Sequence, residues 1–158
     1  SADWHSILAA LGAKVVLRGP NGERTLAVED YMLGALEADI RPGEVLVHVR
    51  IPKLGRSARW GYFKSCRKTG EFAHAIGSFL TDPDRGVSRA VIGATESRPI
   101  VITEAANVIG DGRAERPGEH FNDCAVGEIL EKAGMEDALD RKTHIAALRR
   151  ALEQARPQ

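Results

Sequence analysis

The sequence predicts an α+β fold, a small antiparallel sheet covered by helices. Three observations carry that prediction. Short Val- and Ile-rich segments separated by Pro, Asn and Gly turns fill the first 94 residues. After them the apolar spacing changes from a period near two to offsets of three and four. Strands followed by helices, rather than alternating with them, favour helices laid on a face of an antiparallel sheet.

Asp3 reads as an N-cap, followed by Trp4, Ile7, Leu8 and Leu11 at helical spacing and a stop at Gly12. Ala13 to Arg18 and Glu23 to Val28 flank Pro20-Asn21-Gly22, which is turn chemistry, so they form a hairpin. A further turn, Arg41-Pro42-Gly43, leads into Val45, Val47, Val49 and Ile51 alternating with Leu46, His48 and Arg50. That alternation predicts a half-buried strand ended by Pro52. The polar stretch Lys53 to Arg59 reads as a linker between two halves, residues 1–55 and 56–158.

In the second half, Trp60, Tyr62, Lys64 and Cys66 share one face of a strand. Ala75 to Leu80 and Val87 to Ala94 are two more strands, joined by the turn Asp82-Pro83-Asp84-Arg85-Gly86. Thr103 is expected to cap a short helix stopping at Gly110. Gly118 to Ala133 reads as a helix with Phe121, Cys124, Ala125, Ile129 and Leu130 inward, and Asp140 as the cap of a last helix burying Ile145, Leu148 and Leu152. Helices are expected on one face of the sheet.

Composition excludes several function classes. The 158 residues carry 22 basic and 22 acidic side chains, a balance that gives no reason to expect nucleic acid or a membrane surface as partner. No apolar run has the length of a membrane span. Two cysteines, Cys66 and Cys124, cannot build a disulfide framework or a CxxC metal site, so a reduced, cytoplasmic protein is the expectation. Dinucleotide, P-loop, zincin and nucleophile-elbow motifs are all absent from the sequence. The five histidines are scattered, and His120 with Asp123 reads as a solvated pair.

Cys66 has Arg67 and Lys68 beside it, but neighbours in a strand point to the opposite face, so it reads as structural. Cys124 is expected in the core. Lys64, in a mostly apolar row, has to snorkel, pair with an acid or meet an anionic or carbonyl-bearing ligand. Arg149-Arg150 near the end of the last helix complements its dipole or forms a docking surface.

Several of these segments together resemble a known family. Ala13 to Arg24, with Arg18-Gly19-Pro20-Asn21-Gly22-Glu23-Arg24 at its end, is one. Pro42-Gly43-Glu44-Val45-Leu46 running to Ile51-Pro52 is another, followed by Tyr62-Phe63-Lys64, Gly70-Glu71-Phe72-Ala73 and the closing stretch Arg141 to Ala151. The combination is similar to the C-terminal part of the FAD-binding (medium) subunit of molybdenum hydroxylases, the carbon monoxide dehydrogenase and xanthine dehydrogenase group. Glu71 stands where the family usually has Asp. Gly93 to Val101 departs from the family's Gly-Gly-Val-Gly turn.

The resemblance implies FAD as cofactor, with Asp3 on the ribityl or adenosine side and Val45 with Leu46 along the isoalloxazine ring. It also implies Lys64 at the ring's polar edge and Phe72 packing nearby. It implies an iron-sulfur small subunit and a molybdopterin large subunit as partners. In such a complex, electrons reach FAD from [2Fe-2S] clusters and leave to an external acceptor. The Gly-rich segments that hold the FAD pyrophosphate in the family are not in these residues, so the expectation is a fragment that lacks the N-terminal FAD subdomain. The competing expectation is a cofactor-free structural or subunit-interaction module.

Overall fold

The computed structural model describes residues 3–34, 36–110 and 121–155. Helix α1 (Asp3–Leu11) opens the chain. Gly12 ends it at φ 67°, a left-handed conformation that glycine adopts without steric cost. There the Gly12 and Ala13 amides donate back to the carbonyls of Ala9 and Leu8. Strands β1 (Lys14–Gly19) and β2 (Gly22–Ala27) form the expected hairpin in antiparallel register. A single-turn helix α2 (Val28–Tyr31) and the short strands β3 (Met32–Gly34) and β4 (Glu37–Ala38) follow. Strand β5 (Val45–Arg50) then pairs with β1, completing a sheet of order β2-β1-β5.

The second sheet has order β6-β7-β8-β9, all antiparallel: β6 (Arg59–Ser65), β7 (Ala75–Asp82), β8 (Val87–Gly93) and β9 (Ile100–Thr103). The β7–β8 turn is a 3-10 turn closed by Gly86 in the left-handed region. Helices α3 (Ala105–Ile109), α4 (Asp123–Lys132) and α5 (Ala138–Gln154) follow. Together the strands and helices bear out the α+β class.

Several local expectations are corrected. Asp3 is the first helical residue of α1 rather than a described cap. The face of α1 turned to the sheet is Ser6, Ala9 and Ala10, while Trp4 and Ile7 stay exposed. The cause is close approach: a side chain at Gly93 of β8 would collide with Ser6 Oγ, so only small residues fit between helix and sheet.

Strand β5 does not keep its alternation. Val16 pairs with His48 but Leu17 pairs with Leu46, so Val47 is a bulge residue with no partner on β1. The bulge changes parity. Leu46 and Val49, three apart, both pack into the core of Ala9, Val15, Leu17 and Val91, and Val45 and Val47 face out.

Thr103 ends β9, a strand that periodicity did not reveal, and Glu104 at φ 56° caps α3 without a side-chain bond. Helix α4 begins at Asp123, capped by Asn122, whose side chain accepts from the Ala125 amide. Cys124 is exposed, because Val126 and Leu130 define the buried side of that helix. The cap of α5 is Asp137, not Asp140. Residues 118–120, including His120, lie outside the described residues.

Helices also cover both faces of the second sheet, not one. On one face α3, α4 and α5 close over Phe79, Ala90, Ile92 and Ile102. Gly61 and Gly77 let α5 lie directly on the strands: a side chain on Gly61 would meet the Ala151 carbonyl, and one on Gly77 would sit 2.5 Å from the Ala147 carbonyl. On the other face lies α1, fastened by Arg89 of β8. Its Nε donates to the Ala9 carbonyl at 3.2 Å and its Nη2 pairs with Glu29 at 2.5 Å.

The stretch between the sheets, read as a linker, forms no helix or strand but is pinned to the β7–β8 turn. Gly55 N donates to Asp82 Oδ2 at 2.9 Å, and Ser57 Oγ to Asp84 Oδ1 at 2.8 Å.

Candidate functional site

Strand β6 is the element that assembles a polar site. Its pleat sends Gly61 and Phe63 toward α5 and leaves Trp60, Tyr62 and Lys64 on the face that meets the start of α1. Lys64 Nζ lies 3.0 Å from Asp3 Oδ2, and both side chains are partly exposed. Of the three alternatives open to a lysine in an apolar row, the structure shows pairing with an acid. The pair joins residues 61 positions apart, which spacing alone could not connect.

Tyr62 Oη, on the strand face that carries Lys64, is buried beside the Asp3 carboxylate, and His5 Nε2 of α1 is buried without a partner among the described residues. Burial pushes the Tyr62 phenol up to about 12, with the negative charge of Asp3 adding to it, so it stays a neutral donor across the physiological range. Burial likewise lowers the His5 imidazole below its ordinary value. Unpaired buried polar atoms are costly. The Asp3–Lys64 ion pair with the Tyr62 hydroxyl beside it offers a cation, a carboxylate and a neutral donor on one strand face. Sequence reading placed Tyr62 on this face; its nearness to Asp3 shows only in three dimensions.

The other sequence-predicted residues are spread out. Val45, 60 % exposed, and Leu46, turned inward, belong to β5 in the first sheet. Phe72 stands 80 % exposed on the loop after β6. Cys66 is half-buried just past the strand end.

Beside Val45, Glu44 anchors a second cluster. Arg24 grips its carboxylate through Nε and Nη2, both at 2.8 Å, and reaches Asp39 through Nη1 at 3.0 Å. The Arg24 guanidinium, helped by the Arg41 amide, holds the Glu44 carboxyl down at about 2. This network fixes the segment that presents Val45. Arg149 and Arg150 have partners too: Arg149 pairs with Asp123 and lies over Phe121, and Arg150 lies over Phe63. Among the described residues no group of His, Cys, Asp and Glu could hold a metal, and no helix is long and apolar enough to cross a membrane.

The chain is similar to several known proteins. A family profile described as "FAD binding domain in molybdopterin dehydrogenase" matches residues 1–54. The carbon monoxide dehydrogenase medium chain of Hydrogenophaga pseudoflava is 30% identical over 132 residues, 83% of this chain and 44% of the relative. That of Afipia carboxidovorans is 33% identical over 118 residues, 73% of this chain and 41% of the relative.

Among solved structures, reconstituted CO dehydrogenase from Oligotropha carboxidovorans superposes with a TM-score of 0.73 at 26% identity, covering 97% of this chain and 56% of that one. Quinoline 2-oxidoreductase from Pseudomonas putida 86 shares the fold, with a TM-score of 0.69 at 21% identity over 98% of this chain and 55% of that one. The chain spans about half the length of these relatives.

Proposed function

The chain belongs to the FAD-binding medium-subunit family of molybdenum hydroxylases, and on that premise we propose that it forms part of an electron-transfer flavin subunit. The observation that carries this reading is the agreement of two independent features. The FAD-domain profile covers the segment containing Asp3, and the fold brings Asp3 onto Lys64 of β6, outside that segment.

On this reading residues 1–55 complete the FAD-binding subdomain, and residues 56–158 form the C-terminal domain of the subunit. Bound FAD would accept electrons delivered from [2Fe-2S] clusters and pass them to an external acceptor. Lys64 keeps a positive charge at the polar edge of the ring. Asp3 orients that ammonium and faces the ribityl or adenosine side. Val45 and Phe72, both exposed, would offer the apolar contacts that a flat ring needs, with Leu46, packed inward, supporting Val45 from behind. The iron-sulfur small subunit and the molybdopterin large subunit are the proposed partners, in a cytoplasmic complex.

A second reading, a cofactor-free subunit-interaction module, draws support from the exposed aromatic surface of Trp60, 64 % exposed, and Phe72. Purification in the presence of added FAD separates the two. The flavin reading expects a yellow protein that releases FAD on denaturation, with Lys64→Ala lowering FAD content or reduction potential while the circular dichroism spectrum is kept. A protein that remains colourless with FAD in excess supports the module. Flavin bound with unchanged content and potential in Lys64→Ala removes the role given to Lys64.

A further inference from the structure

Just before β6, at the end of that strand away from Lys64, residues 53–58 run across the surface. They form neither helix nor strand, and none of them is buried. Ala58 N donates to the Gly55 carbonyl at 3.3 Å, which closes part of the segment into a turn. Polar contacts hold that turn down. Two carboxylates of the β7–β8 connection receive its donors. Gly55 N donates to Asp82 Oδ2 at 2.9 Å, Ser57 N to Asp84 Oδ2 at 3.2 Å and Ser57 Oγ to Asp84 Oδ1 at 2.8 Å. The Ser57 hydroxyl and amide hold the Asp84 carboxyl below its ordinary range. The fit is close: a β-carbon on Gly55 would lie 2.4 Å from Asp84 Oδ2 and 2.6 Å from Asp82 Oδ1.

Closure leaves one group unsatisfied. The Asp82 side chain is fully covered, yet its Oδ1 has no hydrogen-bond partner among the described residues, and Arg85 stands 3.6 Å from Oδ2. A buried carboxylate with an unfilled oxygen has lost hydration without replacement. Oδ1 lies against Gly55, so lifting the segment lets water reach it. A segment without buried residues, held by a few hydrogen bonds over a carboxylate that gains water on release, opens locally and below the energy of global unfolding. It also covers something. Leu54, next to Gly55, forms one wall of an apolar pocket of about 190 Å³. The facing walls are Ile7, Ala10 and Leu11 of α1, Trp60 of β6 and Leu80 of β7.

We propose that residues 53–58 are a latched lid: the Asp82 and Asp84 carboxylates hold it shut through Gly55 and Ser57, and its release carries Leu54 away from the apolar pocket. The motion is local, because β6 and β7 stay joined by their own antiparallel ladder from Arg59 and Thr81 onward. Gly55 is part of the latch, since any side chain there would hold both carboxylates off the backbone. The lid sets how far solvent and apolar molecules reach the pocket. It is independent of the flavin reading, in which neither the lid nor its two carboxylates has a role.

Amide hydrogen exchange of the full chain, read residue by residue, tests this, together with the fluorescence of anilinonaphthalene sulfonate, a dye that brightens on apolar surface. The Gly55 and Ser57 amides are expected to exchange at least about a hundredfold faster than the Leu80 amide in the middle of the sheet. Asp84→Ala removes one carboxylate of the latch. It is expected to speed exchange at Gly55 and Ser57 by about tenfold and to brighten the dye while the fold is kept. Ser57→Ala removes the hydroxyl donor alone and is expected to speed Gly55 exchange severalfold. Lid amides that exchange as slowly as Leu80 overturn the proposal, because the segment then opens only with the whole fold. Unchanged lid exchange in Asp84→Ala overturns the latch. Faster exchange without a brighter dye overturns the covering of the pocket. Should Asp84→Ala fail to fold, Ser57→Ala decides alone: unchanged exchange at Gly55 overturns the latch.

Discussion

Strands β7 and β5 are both rich in apolar residues, yet all eight residues of β7 are buried and none of the six in β5 is. Position explains the difference better than composition. Strand β7 lies between β6 and β8 with α5 on one side and α1 on the other. Strand β5 is an edge strand, paired only with β1, and its bulge turns two valines outward. An apolar strand therefore marks a core only when the chain supplies something to cover both faces. Where it does not, the same composition leaves a surface, and here that surface includes Val45, one of the residues proposed to meet the flavin.

The largest test of this contrast is truncation at matched apolar positions. Phe79 of β7 is 1 % exposed and contacts residues from the opposing helices. Phe79→Ala is expected to cost about 3–5 kcal/mol, the usual range for a phenylalanine removed from a packed core. Val45→Ala, at an exposed edge, is expected to change stability by less than about 0.5 kcal/mol. Urea unfolding of both variants reads the difference. Equal losses would mean that Val45 is as enclosed as Phe79, and the contrast between the strands would collapse.

How much of this was legible in the sequence depended on which force decided each element. Turn chemistry located the hairpin and Gly12, because left-handed backbone and tight turns select a few residue types. Helical spacing found α5 and its buried Leu148 and Leu152. It chose the wrong side of α1, since there the deciding factor was how closely the helix approaches Gly93, and small residues carry little hydrophobic signal. It also placed Cys124 inside, when Val126 and Leu130 took that role. The four-residue strand β9 was too short to show a period.

The site divided in the same way. Lys64 stood out locally as a charge in an apolar row, but its union with Asp3 needed the fold, and only family resemblance put both in one site.

A smaller effect probes the bulge itself. Simple alternation puts Val47 in the core and Leu46 outside; the bulge reverses them. Leu46 is half-buried, so Leu46→Ala is expected to cost about 1–2 kcal/mol, below the range for a fully buried leucine. Val47→Ala is expected to cost less than about 0.5 kcal/mol. The reverse order would restore the regular strand and remove the reason that Val45 faces outward.

The smallest expected effect concerns what holds the start of β5 in place. The Arg24 guanidinium keeps the Glu44 carboxyl at about 2, below its ordinary 4.5, and lowers Asp39 in the same direction. Between those two values the folded chain binds fewer protons at Glu44 than the unfolded chain does. Stability from this contact is therefore complete above about pH 4.5, falls as the pH drops toward 2, and has no further slope below that. Arg24 and Glu44 are largely covered while Asp39 is exposed, so solvent screens the cluster in part and the slope is modest. Glu44→Gln should flatten it, while leaving the acid sensitivity of the second sheet unchanged. Denaturant midpoints followed across that pH window for both proteins measure the difference. An unaltered slope in Glu44→Gln would show that Arg24 does not anchor this strand, and that the presentation of Val45 rests on the β1 ladder alone.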